Sequence, residues 1–175
     1  MASFAAALPF ILGNEGGFSD DPEDSGGRTN FGITEQTLTN FKLAHPDLSL
    51  PDDVADLTVD EAGVIYHTDY WCFDGMESEA VATKVFDMAV NMGLRRAIRL
   101  LQATLNTNGA ALLADGIYGP KTEAAVNAAD PGLLMTQLIS SCVGYYKQIV
   151  SSNPSQGKFL HDWLNRAQSV PQVTA

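Results

Sequence analysis

Two carboxyl groups stand out by their surroundings. Glu15 closes a stretch in which Phe4, Leu8, Ile11 and Leu12 recur at helical spacing, and Gly16-Gly17 follow it directly. Asp24 lies nine residues further on, inside the turn-forming run Gly17-Phe18-Ser19-Asp20-Asp21-Pro22-Glu23-Asp24-Ser25-Gly26-Gly27. A carboxyl at the end of an apolar helix is partly desolvated, which raises its pKa and lets it carry a proton. One in a polar, glycine-rich loop stays ionised and hydrated. Cleavage of a glycosidic bond needs both kinds: a donor for the leaving oxygen, and a second group that stabilises the oxocarbenium-like centre or activates water. Spacing alone leaves Asp20, Asp21 and Glu23 in competition with Asp24 for the second role. A calcium loop would require the order D-x-[DN]-x-[DN]-G, which is absent.

The elements that must position these groups are mostly helices. Pro9 inside the first one should kink it or mark a later start. Arg28 to Ile33, with Thr29, Phe31 and Ile33 in alternation, reads as a small irregular β-hairpin. Thr34 can cap a helix running to about Ala44. Thr58-Val59-Asp60-Glu61 is a capping box that opens a helix to about Trp71. A helix from about Glu79 stops at Gly93, and Leu94, Ala97, Ile98, Leu101 and Leu105 form the apolar stripe of the next. Gly119-Pro120 and Asp130-Pro131 open two more, the second reaching about Ser151. A last helix is expected over about Gln156 to Gln168, with Phe159, Leu160, Trp163 and Leu164 inward, before a frayed tail. The pattern shows no repeat, no low-complexity tract and no clear linker.

Composition narrows the function. The 175 residues suit a single domain with a sizeable core, and 45% of them are hydrophobic. No stretch reaches the ~20 apolar residues of a membrane span, so stable membrane insertion is not expected. Nor does the N-terminal stretch have the basic start and small-residue site of a cleaved signal peptide. The charge is uneven. Residues 1–90 carry 17 acidic and 3 basic side chains, and residues 91–175 carry 4 acidic and 7 basic ones. The acidic half argues against nucleic acid as a partner. The basic half suits an anionic polymer such as peptidoglycan, or the asymmetry serves solubility alone. Cys72 and Cys142 lack metal-ligand spacing and read as buried free thiols. His45, His67 and His161 form no cluster, so no metal or cofactor is expected.

The stretch Glu15-Gly16-Gly17-Phe18, then Asp24-Ser25-Gly26-Gly27-Arg28-Thr29-Asn30-Phe31-Gly32-Ile33-Thr34, resembles the signature of glycoside hydrolase family 108. That family contains N-acetylmuramidases, many of them phage endolysins or export-associated enzymes. Phe18 and Phe31 stand where Tyr is commoner. Tyr70-Trp71, the run Phe86 to Gly93, Ala97-Ile98, Leu101-Gln102 and the run Asp115 to Thr122 are similar to the family's companion peptidoglycan-binding segment. The two matches follow in the expected order and cover roughly residues 4 to 165.

The resemblance implies a lysozyme-like α+β fold, mostly α, with a small lobe bearing a short β-hairpin against a larger helical lobe. It would be one domain over residues 1–175, with the catalytic motifs in 1–90 and a peptidoglycan-binding-like part in 91–170. It implies Glu15 as general acid, with Asp24 to orient or activate a water and Thr29 to help position it. Substrate contacts are expected from Phe18, Asn30, Tyr70, Trp71, Asp87 and Asn91. An aromatic ring can stack on a sugar face, although Tyr70 and Trp71 suit core packing as well. Asp87 and Asn91 share a helical face, with Asn91 toward the cleft. The expected enzyme hydrolyses the bond between N-acetylmuramic acid and N-acetylglucosamine. Lytic transglycosylation and non-catalytic peptidoglycan binding are the alternatives. It would act as a monomer in the periplasm or cell wall, after release from the cytoplasm through a holin or a secretion system.

Overall fold

A computed structural model describes residues 1–20 and 27–171. Its helices are α1 (Phe4–Glu15), α2 (Glu35–Ala44), α3 (Val59–Tyr70), α4 (Glu79–Met92), α5 (Leu94–Thr107), α6 (Pro120–Ala128), α7 (Pro131–Ser152) and α8 (Leu160–Gln168). Two strands, β1 (Thr29–Asn30) and β2 (Ile33–Thr34), pair antiparallel with Thr29 opposite Thr34 and Asn30 opposite Ile33. The fold is therefore mostly helical with one short hairpin, as the sequence pattern predicts.

Local chemistry explains most helix ends. Thr34 accepts from the Thr37 amide at the start of α2, and Asp130 from the Leu133 amide at the start of α7. Thr58 and Glu61 bond reciprocally at the start of α3. Gly93, at φ +87°, ends α4 and begins α5. Three expectations need correction. Pro9 does not delay α1, which is already helical from Phe4 and carries Pro9 on its exposed side. The last α-helix starts at Leu160, because Pro154–Phe159 winds as a tighter 3-10 helix, and Phe159 faces solvent. Cys142 is a buried free thiol, but Cys72 is exposed.

The core is organised around α4. Every residue from Val81 to Ala89 is buried, so this helix is enclosed on all sides by its neighbours, which include α1, α3, α5 and α7. Phe86 meets Phe4, Tyr66 and Trp71 edge-on or tilted at centroid distances of 5.4 to 6.4 Å. Within this apolar helix Lys84 and Asp87 are both buried. Lys84 Nζ donates to the backbone carbonyls of Arg166 and Ser169, at 3.0 and 2.9 Å, and lies 3.7 Å from Asp87 Oδ2. Those bonds fasten the end of α8 to the centre of the molecule. Burial pulls the Lys84 pKa down, and the Asp87 charge opposes it.

The hairpin is anchored from below. The buried amide of Asn30 donates to the carbonyls of Val54 and Leu57, at 3.1 and 3.2 Å. Arg28 bridges Glu35 at 2.9 Å and Asp53 at 3.0 Å. Asp53 also accepts from the Ala55 amide at 2.8 Å, capping the short 3-10 turn Val54–Asp56. That amide, and then Arg28, hold the Asp53 carboxyl below its ordinary range. A depressed carboxylate contributes stability that is present above its unfolded pKa and is lost as pH falls through the folded one. Asp53→Asn should therefore lower the melting temperature at neutral pH. The gap from wild type should close as thermal melts are taken down from about pH 4 toward pH 2.

Candidate active site

Glu15 is the last residue of α1, and Gly16, at φ +79°, turns the chain away from the helix there. Its side chain is 15% exposed. Three parts of the chain meet at its carboxylate. Arg166, from α8, brings Nη2 to 2.6 Å from Oε1, and the same nitrogen lies 3.0 Å from Asp87 Oδ1. Arg166 Nε donates to that Asp87 oxygen at 3.0 Å, and Asn14 Nδ2 donates to it as well, at 3.0 Å. One guanidinium is thus shared by two carboxylates from different helices. Burial works against the charge on Arg166, but Asp87 and Glu15 outweigh it and the guanidinium stays firmly protonated.

The hairpin turn closes the other side. Phe31 and Gly32 both take left-handed backbone angles, φ +52° and +76°, the pattern of a type I′ two-residue turn. Gly32 lies directly against Glu15. A methyl group there would stand 2.7 Å from Glu15 Cδ and 2.9 Å from its Cβ, closer than packed carbons approach. Phe31 pays steric strain in this conformation. Its carbonyl is fixed by the Tyr66 hydroxyl, which donates at 2.6 Å. Burial, and then the charge of Glu15, push the Tyr66 phenol pKa up, so this donor remains a neutral hydroxyl. Tyr70 is half-buried one turn later, and its pKa is raised by burial, then by Asp69 and Glu15.

The structure brings some of the sequence-derived residues together and turns others away. Thr29 sits in β1, its backbone paired with Ser19 on one side (2.8 and 2.9 Å) and with Thr34 on the other. Phe18 is 49% exposed, with the Arg28 guanidinium 5.6 Å from its ring centre. Asp24 lies outside the described residues, as do Asp21 and Glu23. Asp20, the remaining rival for the second role, is exposed and 3.8 Å from Arg28. Tyr70 stays within electrostatic reach of Glu15. The other expected substrate contacts point elsewhere. Asn30 is directed inward to backbone carbonyls. Trp71 is buried among Phe4, Phe73 and Phe86, and its indole donates to Asp74 at 2.8 Å. Asp87 is buried against Arg166, and the Asn91 amide donates to the Tyr146 hydroxyl. Asp87 thus reaches Glu15 through Arg166 rather than facing open cleft.

Sequence reasoning missed Arg166, Asn14 and the contact of Gly32 with the acid. Lys84 and Asp87 did leave a signal, because two charges three residues apart in an otherwise apolar helix imply a buried ionic network. Nothing in the local pattern of α8 marks Arg166. Among the described residues, no group of three or more His, Cys, Asp or Glu side chains is placed to hold a metal ion. Nor is any described helix long and apolar enough to cross a membrane.

Comparison with known proteins gives the same arrangement a family. Residues 8–93 match the model described as "Glycosyl hydrolase 108", and residues 96–168 match a "Predicted Peptidoglycan domain". No curated protein matches the chain. Among solved structures, SagA of Brucella abortus is similar at 30% sequence identity, with a TM-score of 0.69. The likeness covers 94% of this chain and 92% of that one. The helical fold with its hairpin, the family model over the Glu15 region and the peptidoglycan model behind it agree, and the chain belongs to the glycosyl hydrolase 108 family of glycoside hydrolases.

Proposed function

We propose that the protein is an N-acetylmuramidase that hydrolyses the β-1,4 bond between N-acetylmuramic acid and N-acetylglucosamine, with Glu15 as general acid. The observation that carries this reading is the confinement of Glu15. Its carboxylate is held between the Arg166–Asp87 ion pair and the Phe31–Gly32 turn, at the end of a helix and mostly out of water. A donor fixed in one place can meet the leaving oxygen without first paying for its own ordering.

In this scheme Glu15 gives its proton to the bridging oxygen as the bond to the anomeric carbon breaks. A water attacks that carbon and leaves a new reducing end. Asp24 takes the water's proton, and Thr29, on the hairpin next to the Glu15 contact, orients the water. Arg166 keeps the acid in place, and Asp87 supplies the counter-charge that prevents the guanidinium from belonging to Glu15 alone. The family and the peptidoglycan model support peptidoglycan as ligand, and with it a site of action at the cell wall or periplasm. A route there through a holin or secretion system, and a monomeric working state over one domain, complete the proposal.

Glu15→Gln should reduce the release of muropeptides from purified peptidoglycan by at least about a hundredfold, the usual loss when a general acid is removed. Its melting temperature should stay near wild type. Wild-type turnover by this variant would end the assignment of the acid. The wild-type products, read by mass spectrometry, should carry free reducing ends. Products lighter by one water, with 1,6-anhydro rings, would identify a lytic transglycosylase instead.

Gly32→Ala tests the confinement itself. The new methyl requires both a left-handed alanine, at about 1–2 kcal/mol, and a displacement of the Glu15 side chain. Turnover should fall at least tenfold in protein that still melts cooperatively. Unchanged kcat in a folded variant would show that the position of Glu15 is not set by the turn.

A further inference from the structure

The segment between α5 and α6 is irregular, yet it is bound more tightly than most loops. Gln102, buried on α5, donates to Asp115 Oδ1, the Ile117 carbonyl and Thr122 Oγ1 at 3.0 to 3.2 Å, and accepts from the Gly116 amide at 2.9 Å. Asn106 bonds both the amide and the carbonyl of Leu112, at 2.6 and 2.8 Å. Gly116, at φ +79°, packs so closely on α5 that a methyl there would lie 2.6 Å from Arg95 Cγ.

A loop fixed in this way displays two large apolar side chains to solvent. Leu113 is 79% exposed and Ile117 is 63% exposed. Together with Leu112, Gln102, Asp115 and Lys121 they border a groove of about 410 Å³. Its rim is basic. Lys121 stands on one edge, and Arg95 and Arg99 both direct Nε to the Asp115 carbonyl at 3.3 Å. Among the described residues none of these three cations forms an ion pair, in contrast to Arg28, Lys42, Lys84 and Arg166. Preformed apolar walls, with three cations around one carboxylate, suit a short ligand with methyl groups and free carboxylates. No aromatic ring among the described lining residues offers a platform for a sugar face.

We propose that this groove binds the peptide stems of peptidoglycan, whose alanyl methyl groups and free carboxylates match its walls and rim. The proposal rests on the peptidoglycan reading above and assigns the recognition of the peptide to the second half of the chain, away from the acid.

The full-length Glu15→Gln protein, which should not digest its ligand, is sedimented with purified sacculi. Amidase-released stem peptides are added as competitor. The peptides should displace the protein. Leu113→Ser with Ile117→Ser, and separately Lys121→Glu, should each weaken sacculus binding about tenfold. All three positions are largely solvent-exposed or at the rim, and circular dichroism melts check the fold. Undiminished sacculus binding by both variants, or no displacement by stem peptide, overturns the proposal. So does sedimentation with phosphatidylglycerol vesicles that depends on Leu113, which would make the surface a membrane contact. The same groove variants with Glu15 intact should still release the same products from peptide-free glycan strands. Loss of products from wild type itself would count against the muramidase reading, and the binding arms would still judge the groove.

Discussion

Burying a guanidinium is costly unless its charge is answered, and in this fold Arg166 is answered twice. Asp87 and Glu15 approach it from two helices, and their charges offset the cost of taking it out of water. Removing Asp87 would leave Arg166 and Lys84 with a single carboxylate between them, whereas Glu15→Gln keeps the Arg166–Asp87 pair and still offers the guanidinium an oxygen. Lys84 extends the constraint, since it lies against Asp87 and bonds the carbonyls of Arg166 and Ser169. The position of the candidate acid is therefore a property of α1, α4 and α8 together. The hairpin adds only the final wall.

This dependence also joins the two stretches that the family models divide. Glu15, Asp87 and the hairpin fall in residues 8–93, and Arg166 falls in residues 96–168. The hydrophobic core draws on both, with Leu101, Leu134, Leu138 and Ala167 in the same buried cluster as Ile11, Phe73 and Phe86. A segment associated with peptidoglycan thus supplies a residue to the candidate site as well as the basic groove beside α5.

Much of this was legible in the sequence, for identifiable reasons. Capping chemistry is local, so Thr34, Thr58-Glu61 and Asp130 marked helix starts that the structure reproduces. The α4 and α5 boundary was legible because Gly93 combines a stop with a left-handed angle. Glu15 was legible through the residues around it, although spacing alone left it one carboxylate among many. What could not be read was direction over long separations. Asn30 and Trp71 have the chemistry of sugar binding, yet Asn30 faces three backbone carbonyls and Trp71 a ring of aromatics. Arg166 was invisible for the same reason, because an exposed helix and a helix that plugs a buried network differ only in what they meet.

The separation of Glu15 and Arg166 along the sequence also has a temporal side. During synthesis the helix bearing Glu15 leaves the ribosome long before α8 exists, and non-local contacts of this kind form late because the chain between them must be ordered first. An intermediate with α1 and the hairpin in place would carry the carboxylate without the cation that holds it. The site is therefore complete only once α8 has docked, not with the element that carries its acid.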